Sequence, residues 1–131
     1  MVTLNTHRRR QFFRDPELVR QCRKALTEAA EEHSFAILAY CFMPDHLHLL
    51  VQGRDDDSSL VPFMQRFKQT SGYRFKAKRG QPLWQRSFYD HVLRGEEDME
   101  EVAEYIWNNP VRAGLAEERE EYPFWGPRGQ T

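Results

Sequence analysis

The sequence predicts an α+β fold in which an antiparallel sheet carries two helices on one face. Segments with strand and helix periodicity alternate in the order strand, helix, strand, strand, helix, strand, helix, and only a short turn separates the two adjacent strands. This order is that of a ferredoxin-like or RRM-like sandwich. The chain has 131 residues, of which 40% are hydrophobic and 30% are charged. It is predicted to form one domain, 1–131, with residues 116–131 as an acidic and aromatic tail.

The first elements are a strand and a helix. Residues 2–13 mix β-forming residues with a basic cluster, which predicts a strand and a turn near residues 7–10. Asp15 and Pro16 suit the N-cap and the first position of a helix. An apolar stripe at helical spacing is then expected to pack on the sheet, and it consists of Leu18, Val19, Cys22, Ala25, Leu26 and Ala29.

Two adjacent strands are predicted next. Residues 35–42 are apolar on both alternating faces, as in a strand that is covered on both sides. Residues 43–45 interrupt this strand and predict the turn of an antiparallel hairpin. Residues 46–52 alternate, so that one face is aliphatic and the other presents His46, His48, Leu50 and Gln52.

The remaining elements are a helix, a strand and a helix. A second helix, capped by Ser58 or Ser59, is predicted to run into a basic segment. Residues 84–93 predict a strand with one apolar and one polar face. The third helix has acidic residues 96–98 in its first turn, where the helix dipole favours anions, and ends before Pro110.

Charge is divided unevenly along the chain, although the formal net charge is only −1. Residues 1–94 carry 16 Lys or Arg against 10 Asp or Glu, whereas residues 95–131 carry 3 against 10. A local basic patch attracts a polyanion even on a neutral protein, although a solvated helix face explains such a patch equally well. In this sequence the basic patch is residues 66–79, which contain no acidic residue. Its basic residues are Arg66, Lys68, Arg74, Lys76, Lys78 and Arg79.

The apolar segments, the N-terminus and the cysteines indicate the cellular compartment. No apolar segment is long enough to cross a membrane, and the N-terminal residues lack the order of a secretory signal. We therefore expect a cytoplasmic protein that does not act at a membrane. Cys22 and Cys41 do not have metal-binding spacing and are expected to be small buried residues.

The first candidate site is a pair of histidines. His46 and His48 are two residues apart on a predicted strand, so both imidazoles leave the same face and can reach one metal ion. Spacing alone fits a pair of surface histidines as well. The aliphatic opposite face favours a site, because it gives the sheet a core side and a polar side.

The third helix offers two further groups. Its buried stripe, at spacings of three and four, places Tyr105 and Asn109 together at one flank of the helix. A phenol is a potential nucleophile and an amide oxygen is a potential metal ligand, the two groups that a histidine pair lacks. Without the histidines, a boundary tyrosine and a helix-ending Asn-Pro pair would explain them.

Three separated segments carry a more specific signal. They are residues 39–51 (AYCFMPDHLHLLV), residues 83–92 (LWQRSFYDHV) and residues 105–115 (YIWNNPVRAGL). Together they resemble the REP-associated tyrosine transposases, which belong to the single-tyrosine branch of the HUH endonuclease superfamily. The resemblance covers about residues 2–125 and implies the fold of HUH single-tyrosine transposases.

The resemblance implies roles for the candidate residues. His46 and His48 match the family's metal-binding histidines, Tyr105 matches its nucleophile, and Asn109 stands where relatives place a polar third ligand. The implied activity is a transposase-like cleavage and joining of single-stranded DNA near a hairpin, through a 5′-phosphotyrosine intermediate, with Mg²⁺ or Mn²⁺. The protein is expected to be a monomer or a homodimer, and its DNA to cross residues 66–79 with help from Arg8, Arg9 and Arg10.

Several positions keep alternative interpretations. Tyr89 and His91 share the polar face of the last predicted strand. They are either a rival nucleophile and an extra metal ligand, or residues that support the site, or plain sheet surface. Asp45 stands where the family often has asparagine, and its carboxylate either strengthens the metal site or caps the turn. The C-terminal residues 124–127 also depart from the family pattern. Three aromatic residues either stack on bases or belong to the core, namely Tyr73, Phe75 and Trp84.

Two other functions remain alternatives. A catalytically inactive nucleic-acid-binding module of the same fold would bind DNA without cutting it. A metallohydrolase unrelated to DNA would hydrolyse esters with a metal and without Tyr105, but it would leave the basic patch unexplained.

Overall fold

A five-stranded antiparallel sheet lies at the centre of the computed structural model, which describes residues 1–91 and 98–128. Its strand order is β4-β1-β3-β2-β5. The strands are β1 (Val2–Asn5), β2 (Phe35–Met43), β3 (His46–Gly53), β4 (Tyr89–Asp90) and β5 (Trp125–Gly126). Within the described residues, no helix combines the length and apolarity that a membrane crossing requires.

Two long helices cover one face of the sheet, as predicted. α1 (Pro16–Glu32) and α2 (Leu60–Arg79) pack against each other, and α1 also packs on β2. The Asp15 carboxylate accepts a hydrogen bond from the Glu17 backbone N–H at 3.0 Å, which confirms the predicted N-cap. The predicted stripe of α1 is buried in the first core, between these helices and the sheet. Each fully buried large apolar side chain there contributes about 1.5–3 kcal/mol.

The third helix lies on the other face of the sheet. α3 (Met99–Trp107) and the single turn α4 (Asn109–Arg112) follow each other, and Ala103 and Ile106 of α3 are buried against β2 and β3 in a second core. The predicted α+β class is therefore confirmed, but the prediction of helices on one face holds only for α1 and α2. The reason is that β2 is apolar on both faces, so both faces must be covered.

The hairpin of β2 and β3 is present as predicted. Its turn consists of Pro44 and Asp45, and the Asp45 backbone oxygen accepts hydrogen bonds from both the N–H and the hydroxyl of Thr6 at 3.0 Å. Leu47 and Leu49 face the first core, whereas Leu50 lies in the second core. The predicted alternation therefore places the two histidines of β3 on the face that carries α3.

The first predicted strand is longer than the observed one. β1 ends at Asn5, and two short 3₁₀ turns, His7–Arg9 and Phe12–Arg14, replace its second half. Arg8 and Arg9 adopt left-handed φ values of 55° and 54°, which interrupt an extended strand.

The last predicted strand is also shorter. Between a bridge at Trp84 and β4, the backbone carbonyls of Gln85 and Arg86 accept hydrogen bonds from the Lys68 ammonium group at 2.6 and 2.9 Å. A carbonyl that points at α2 cannot also extend a regular ladder with β1, so the segment is irregular. Its predicted end at residues 92–93, and the predicted acids at 96 and 97, lie outside the described residues. Asp98 accepts from the Glu100 N–H at 2.8 Å and caps α3.

Candidate metal and tyrosine site

The two histidines of β3 meet at their outer ring nitrogens. The Nε2 atoms of His46 and His48 are 3.1 Å apart, and the rings are nearly perpendicular, with an interplanar angle of 84°. Both imidazoles project from the face that carries α3, because they are two residues apart on one strand. The pair thus presents two nitrogen atoms at one point.

Each histidine is held from behind through its other nitrogen. His46 Nδ1 donates to Asp45 Oδ1 at 2.7 Å, and the Thr3 hydroxyl lies 3.1 Å from His48 Nδ1. The second oxygen of Asp45 is paired with Arg9, whose Nη2 is 2.9 Å away. A partner on Nδ1 sets the tautomer and orientation of an imidazole and leaves the Nε2 lone pair available.

The local electrostatics favour a neutral imidazole at His48 and an ionised carboxylate at Asp45. Burial, together with the charges of His46 and Arg112, lowers the pKa of His48 to about 4. Burial raises the pKa of Asp45, but its hydrogen bond to His46 and the charges of His46 and Arg9 outweigh that effect and hold it below its ordinary value. His48 is therefore neutral and Asp45 ionised at pH 7. The neutral form is the one in which imidazole binds metals.

The donor pair fits a divalent metal ion. With metal–nitrogen bonds of about 2.1 Å, two nitrogens at the observed separation would subtend close to a right angle at one ion. Within residues 1–91 and 98–128, no three His, Cys, Asp or Glu side chains are grouped so that they could hold an ion. Amide, water or phosphate oxygens would then complete the coordination.

The tyrosine and asparagine of the C-terminal helices share one partner. The Arg112 guanidinium carbon lies 3.7 Å from the centroid of the Tyr105 ring, and Arg112 Nη2 donates to the Tyr105 backbone oxygen at 2.6 Å and to Asn109 Oδ1 at 3.3 Å. Tyr105 is 53% exposed. The charge of Arg112 also contributes to the lowered pKa of His48. Arg112 therefore interacts both with the tyrosine and, electrostatically, with the histidine pair.

Asn109 is turned toward Arg112 through its oxygen. Its Nδ2 atom is buried and has no hydrogen-bond partner within the described part of the chain. A ligand role for Oδ1 requires the hydrogen bond from Arg112 to be replaced by a coordination bond to the ion. The orphaned Nδ2 shows that the observed hydrogen bonding of this amide is incomplete.

The structure separates the predicted basic patch from the histidines. α2 packs on the opposite face of the sheet, where Arg66 pairs with Glu32 at 3.2 Å and Arg79 with Asp15 at 2.7 Å. The Lys68 ammonium is engaged with backbone carbonyls. The members of the patch that are exposed and form no ion pair within the described residues are Arg74, Lys76 and Lys78.

The N-terminal arginines have mixed surroundings. Arg9 is part of the Asp45 pair, Arg10 donates to Gln81 Oε1 at 2.6 Å, and Arg8 is exposed. Arg9 is thus closer to the predicted metal site than the sequence indicated.

The aromatic candidates divide between core and surface. Phe75 and Trp84 are buried in the first core, whereas Tyr73 is 77% exposed. Tyr89, the rival nucleophile, is 64% exposed and pairs in register with Thr3, which itself pairs with His48. Directly paired residues of antiparallel strands share a face, so Tyr89 lies on the histidine face. His91 is exposed at the end of this strand, where its N–H donates to the Met1 oxygen at 2.8 Å.

Sequence reasoning missed two contributors to the site. Thr3 supports His48 from the neighbouring strand, and no local pattern announces that contact. The position of Arg112 could have been predicted, because it follows Tyr105 by seven residues and Asn109 by three, which is the spacing of one helix face.

Residues 1–109 match the family described as transposase IS200 like, and the chain belongs to this family. The matched range includes both histidines, Tyr105 and Asn109.

Two curated relatives have the same kind of name. A Haemophilus influenzae protein named as a REP-associated tyrosine transposase is 28% identical over an alignment of 120 residues, and the match covers 82% of this chain and 68% of that protein. A REP-associated tyrosine transposase of Escherichia coli is 29% identical over an alignment of 105 residues, and the match covers 78% of this chain and 60% of that protein. The chain therefore spans only part of the length of both relatives.

Solved structures agree on the fold. A REP-associated tyrosine transposase bound to a REP hairpin has a TM-score of 0.78 and 25% identity, and the match covers 95% of this chain and 73% of that one. A Deinococcus radiodurans protein described as a transposase has a TM-score of 0.59 and 23% identity, with 82% and 86% covered. The second likeness concerns the fold alone.

Proposed function

We propose that this chain is a metal-dependent single-strand DNA endonuclease and strand transferase that cuts near a hairpin. The observation that carries the proposal is the convergence of the His46 and His48 Nε2 atoms, 3.1 Å apart, on the sheet face where the helix of Tyr105 packs. Two imidazoles that converge through their Nε2 atoms and an exposed phenol on one face are the groups that phosphodiester transfer to tyrosine needs.

Each residue has a distinct role in this proposal. His46 and His48 hold a divalent ion, Mg²⁺ or Mn²⁺, and Asn109 adds its amide oxygen after exchanging the Arg112 hydrogen bond. When bound, the ion neutralises charge on the scissile phosphate. Two imidazoles are softer ligands than Mg²⁺ prefers, so Mn²⁺ is expected to support the reaction better in vitro.

The chemical step belongs to Tyr105. Its oxygen attacks the phosphorus, the bond to the 3′-oxygen breaks, and the products are a 5′-phosphotyrosine ester and a free 3′-hydroxyl. The phenol loses its proton and the leaving 3′-oxygen gains one. One phosphodiester bond is exchanged for another, so the step needs no nucleoside triphosphate as an energy source. Arg112 holds the Tyr105 ring in place through its contact at 3.7 Å. Because the ester retains the energy of the broken bond, a second 3′-hydroxyl can reverse the step and join strands.

The substrate class rests on the family and on one relative. That relative was solved with a REP hairpin. We propose that single-stranded DNA containing a hairpin is also the substrate of this chain, with the cut outside the hairpin. Such a substrate would be met at the bacterial nucleoid, in the cytoplasm.

A covalent trapping experiment tests the proposal. The protein is incubated with labelled hairpin oligonucleotides, with and without Mn²⁺, and the DNA–protein adduct is resolved under denaturing conditions. We expect an adduct that requires the metal, His46 and His48 and that disappears in Tyr105→Phe. Tyr89→Phe is the matched control, because Tyr89 is an exposed tyrosine on the same sheet face.

Two outcomes would contradict the proposal. An adduct that persists in Tyr105→Phe and disappears in Tyr89→Phe would transfer the nucleophile to Tyr89. Tight hairpin binding without an adduct or a nick, whichever divalent ion is supplied, would identify an inactive binding module instead.

A further inference from the structure

A basic groove runs along α2 on the side away from α1. Two adjoining cavities of about 380 and 640 Å³ lie between α2 and residues 82–88, and both are bordered by Lys68, Gln69 and Arg86. We call this continuous surface the α2 groove. Its polar lining consists mainly of Gln65, Lys68, Gln69, Tyr73, Lys76 and Arg86.

The charge of the groove is one-sided. Within the described residues, neither cavity is lined by an acidic side chain, and no acidic group lies within ion-pair distance of Lys76 or Arg86. Both side chains are exposed. The α2 groove therefore has two cations free for an external anion. By contrast, Arg66 and Arg79 at the other side of α2 are neutralised by acids of α1 and its cap.

Residues 82–88, which form one wall of the groove, are held by hydrogen bonds from the Lys68 ammonium group. The Lys68 ammonium donates to the Gln85 and Arg86 carbonyls at 2.6 and 2.9 Å, which fixes the backbone next to the Arg86 side chain. Trp84 anchors the same segment, because its indole N–H donates to the buried Ser71 hydroxyl at 2.9 Å. Arg86 thus projects from a segment tied to α2 at two points.

The chemistry of the lining favours phosphates over bases. Single-strand binding uses several exposed aromatic rings as stacking platforms. Here Trp84 is buried, Phe88 is partly buried against the first core, and Tyr73 is exposed over 77% of its surface. Lysine, arginine, glutamine and the tyrosine hydroxyl are the groups that contact phosphate oxygens in DNA complexes. A duplex backbone suits this surface better than unpaired bases.

The position of the groove relates it to the predicted cleavage site. Residues 82–88 lead into β4 at the sheet edge, and β4 is separated from the histidine strand β3 only by β1. DNA on the α2 groove would therefore pass this edge to reach the histidine face.

We propose that the α2 groove binds the sugar–phosphate backbone of the duplex stem of the hairpin, through Lys76, Arg86 and Tyr73. The inference rests on the proposed action on hairpin DNA, but it concerns a surface on the side of the sheet that carries α2 and not the histidine pair. Of the basic patch predicted from the sequence, only Lys76 contacts DNA phosphates in this proposal. Arg86, which lies outside that patch, supplies the second cation.

Fluorescence anisotropy with a labelled hairpin tests this assignment. The measurement uses Tyr105→Phe protein in EDTA, so that neither cleavage nor the metal contributes. Adding Lys76→Ala and Arg86→Ala together is expected to weaken hairpin binding about tenfold or more and to reduce the slope of log K against log salt by about 2, one for each lost phosphate contact. Tyr73→Phe should weaken binding by a smaller factor.

The controls separate this surface from general charge. Arg20→Ala with Lys24→Ala on α1 removes the same charge from exposed positions and should leave affinity and salt slope unchanged. A strand of equal length that cannot form a stem should bind weakly, and its affinity should not change in the groove variant. Circular dichroism verifies that each variant is folded.

The outcomes decide the two proposals separately. Unchanged hairpin affinity in the groove variant, an equal loss with the stemless strand, or no hairpin binding by the parent protein would each overturn the groove assignment. If the groove variant loses hairpin binding as expected but wild-type protein forms no tyrosine adduct with any metal, the assignment stands and the proposed cleavage fails.

Discussion

Replacing Asp45 with alanine is expected to weaken metal binding without unfolding the protein. The carboxylate accepts from His46 Nδ1 at 2.7 Å and is paired with Arg9 Nη2 at 2.9 Å. Its removal allows His46 to change tautomer or rotate, so that the Nε2 lone pair no longer stays beside His48. Thr6 contacts only the backbone oxygen of Asp45, so the hairpin turn keeps its hydrogen bonds.

The magnitude follows from the role of a carboxylate behind a metal-binding histidine. Loss of such a partner typically costs about 10- to 100-fold in metal affinity, or roughly 1.4–2.8 kcal/mol. The stability cost should stay below about 1 kcal/mol, because the ion pair with Arg9 is partly exposed and therefore weak. Titration calorimetry or Mn²⁺ electron paramagnetic resonance gives the affinity, and urea unfolding gives the stability.

Three further variants make the measurement specific. Asp45→Asn, which restores the residue often seen in the family, keeps an acceptor oxygen without its charge and should lose less affinity than alanine. Arg9→Ala leaves the carboxylate on His46 and should also have a smaller effect. His46→Ala should abolish binding. The reasoning is refuted if Asp45→Ala binds Mn²⁺ as tightly as wild type while His46→Ala does not bind.

Three other predictions concern the helices on both faces of the sheet. Arg112→Ala removes the contact at 3.7 Å from the Tyr105 ring and should slow adduct formation about 10- to 100-fold in single-turnover assays with little change in DNA affinity, whereas an unchanged rate would leave Arg112 without a positioning role. Asp98→Ala removes the N-cap of α3 and should cost about 1 kcal/mol in urea unfolding, and no loss of stability would mean that the cap is dispensable. Ser71→Ala leaves the buried Trp84 indole N–H without its acceptor and should cost about 1–3 kcal/mol; an unchanged midpoint of thermal unfolding would contradict this.

Much of the fold was predictable because strand and helix periodicities are local. The alternation of residues 46–52 gave the correct face for both histidines, and the cap at Asp15 gave the correct start for α1. The errors occurred where a distant side chain intervened. Lys68 draws the carbonyls of Gln85 and Arg86 out of the predicted strand, a contact that no local pattern reveals.

For the candidate site, the sequence predicts which residues share a face but not their geometry. Backbone periodicity alone places His46 with His48, and Tyr105 with Asn109. The reach of each side chain depends on its tertiary neighbours, and Arg112 engages both Tyr105 and the amide that was expected to face a metal.

By itself the sequence determined the α+β class, the hairpin, the face that carries His46 and His48, and the likeness to tyrosine transposases. Only the tertiary structure decided which charges remain free. Arg66 and Arg79 are neutralised by acids 34 and 64 positions earlier in the chain, and Asp45 is paired with an arginine 36 positions earlier. Local backbone geometry sets which side chains share a face, whereas the partner of a charge depends on which distant segments the fold brings within a few ångströms.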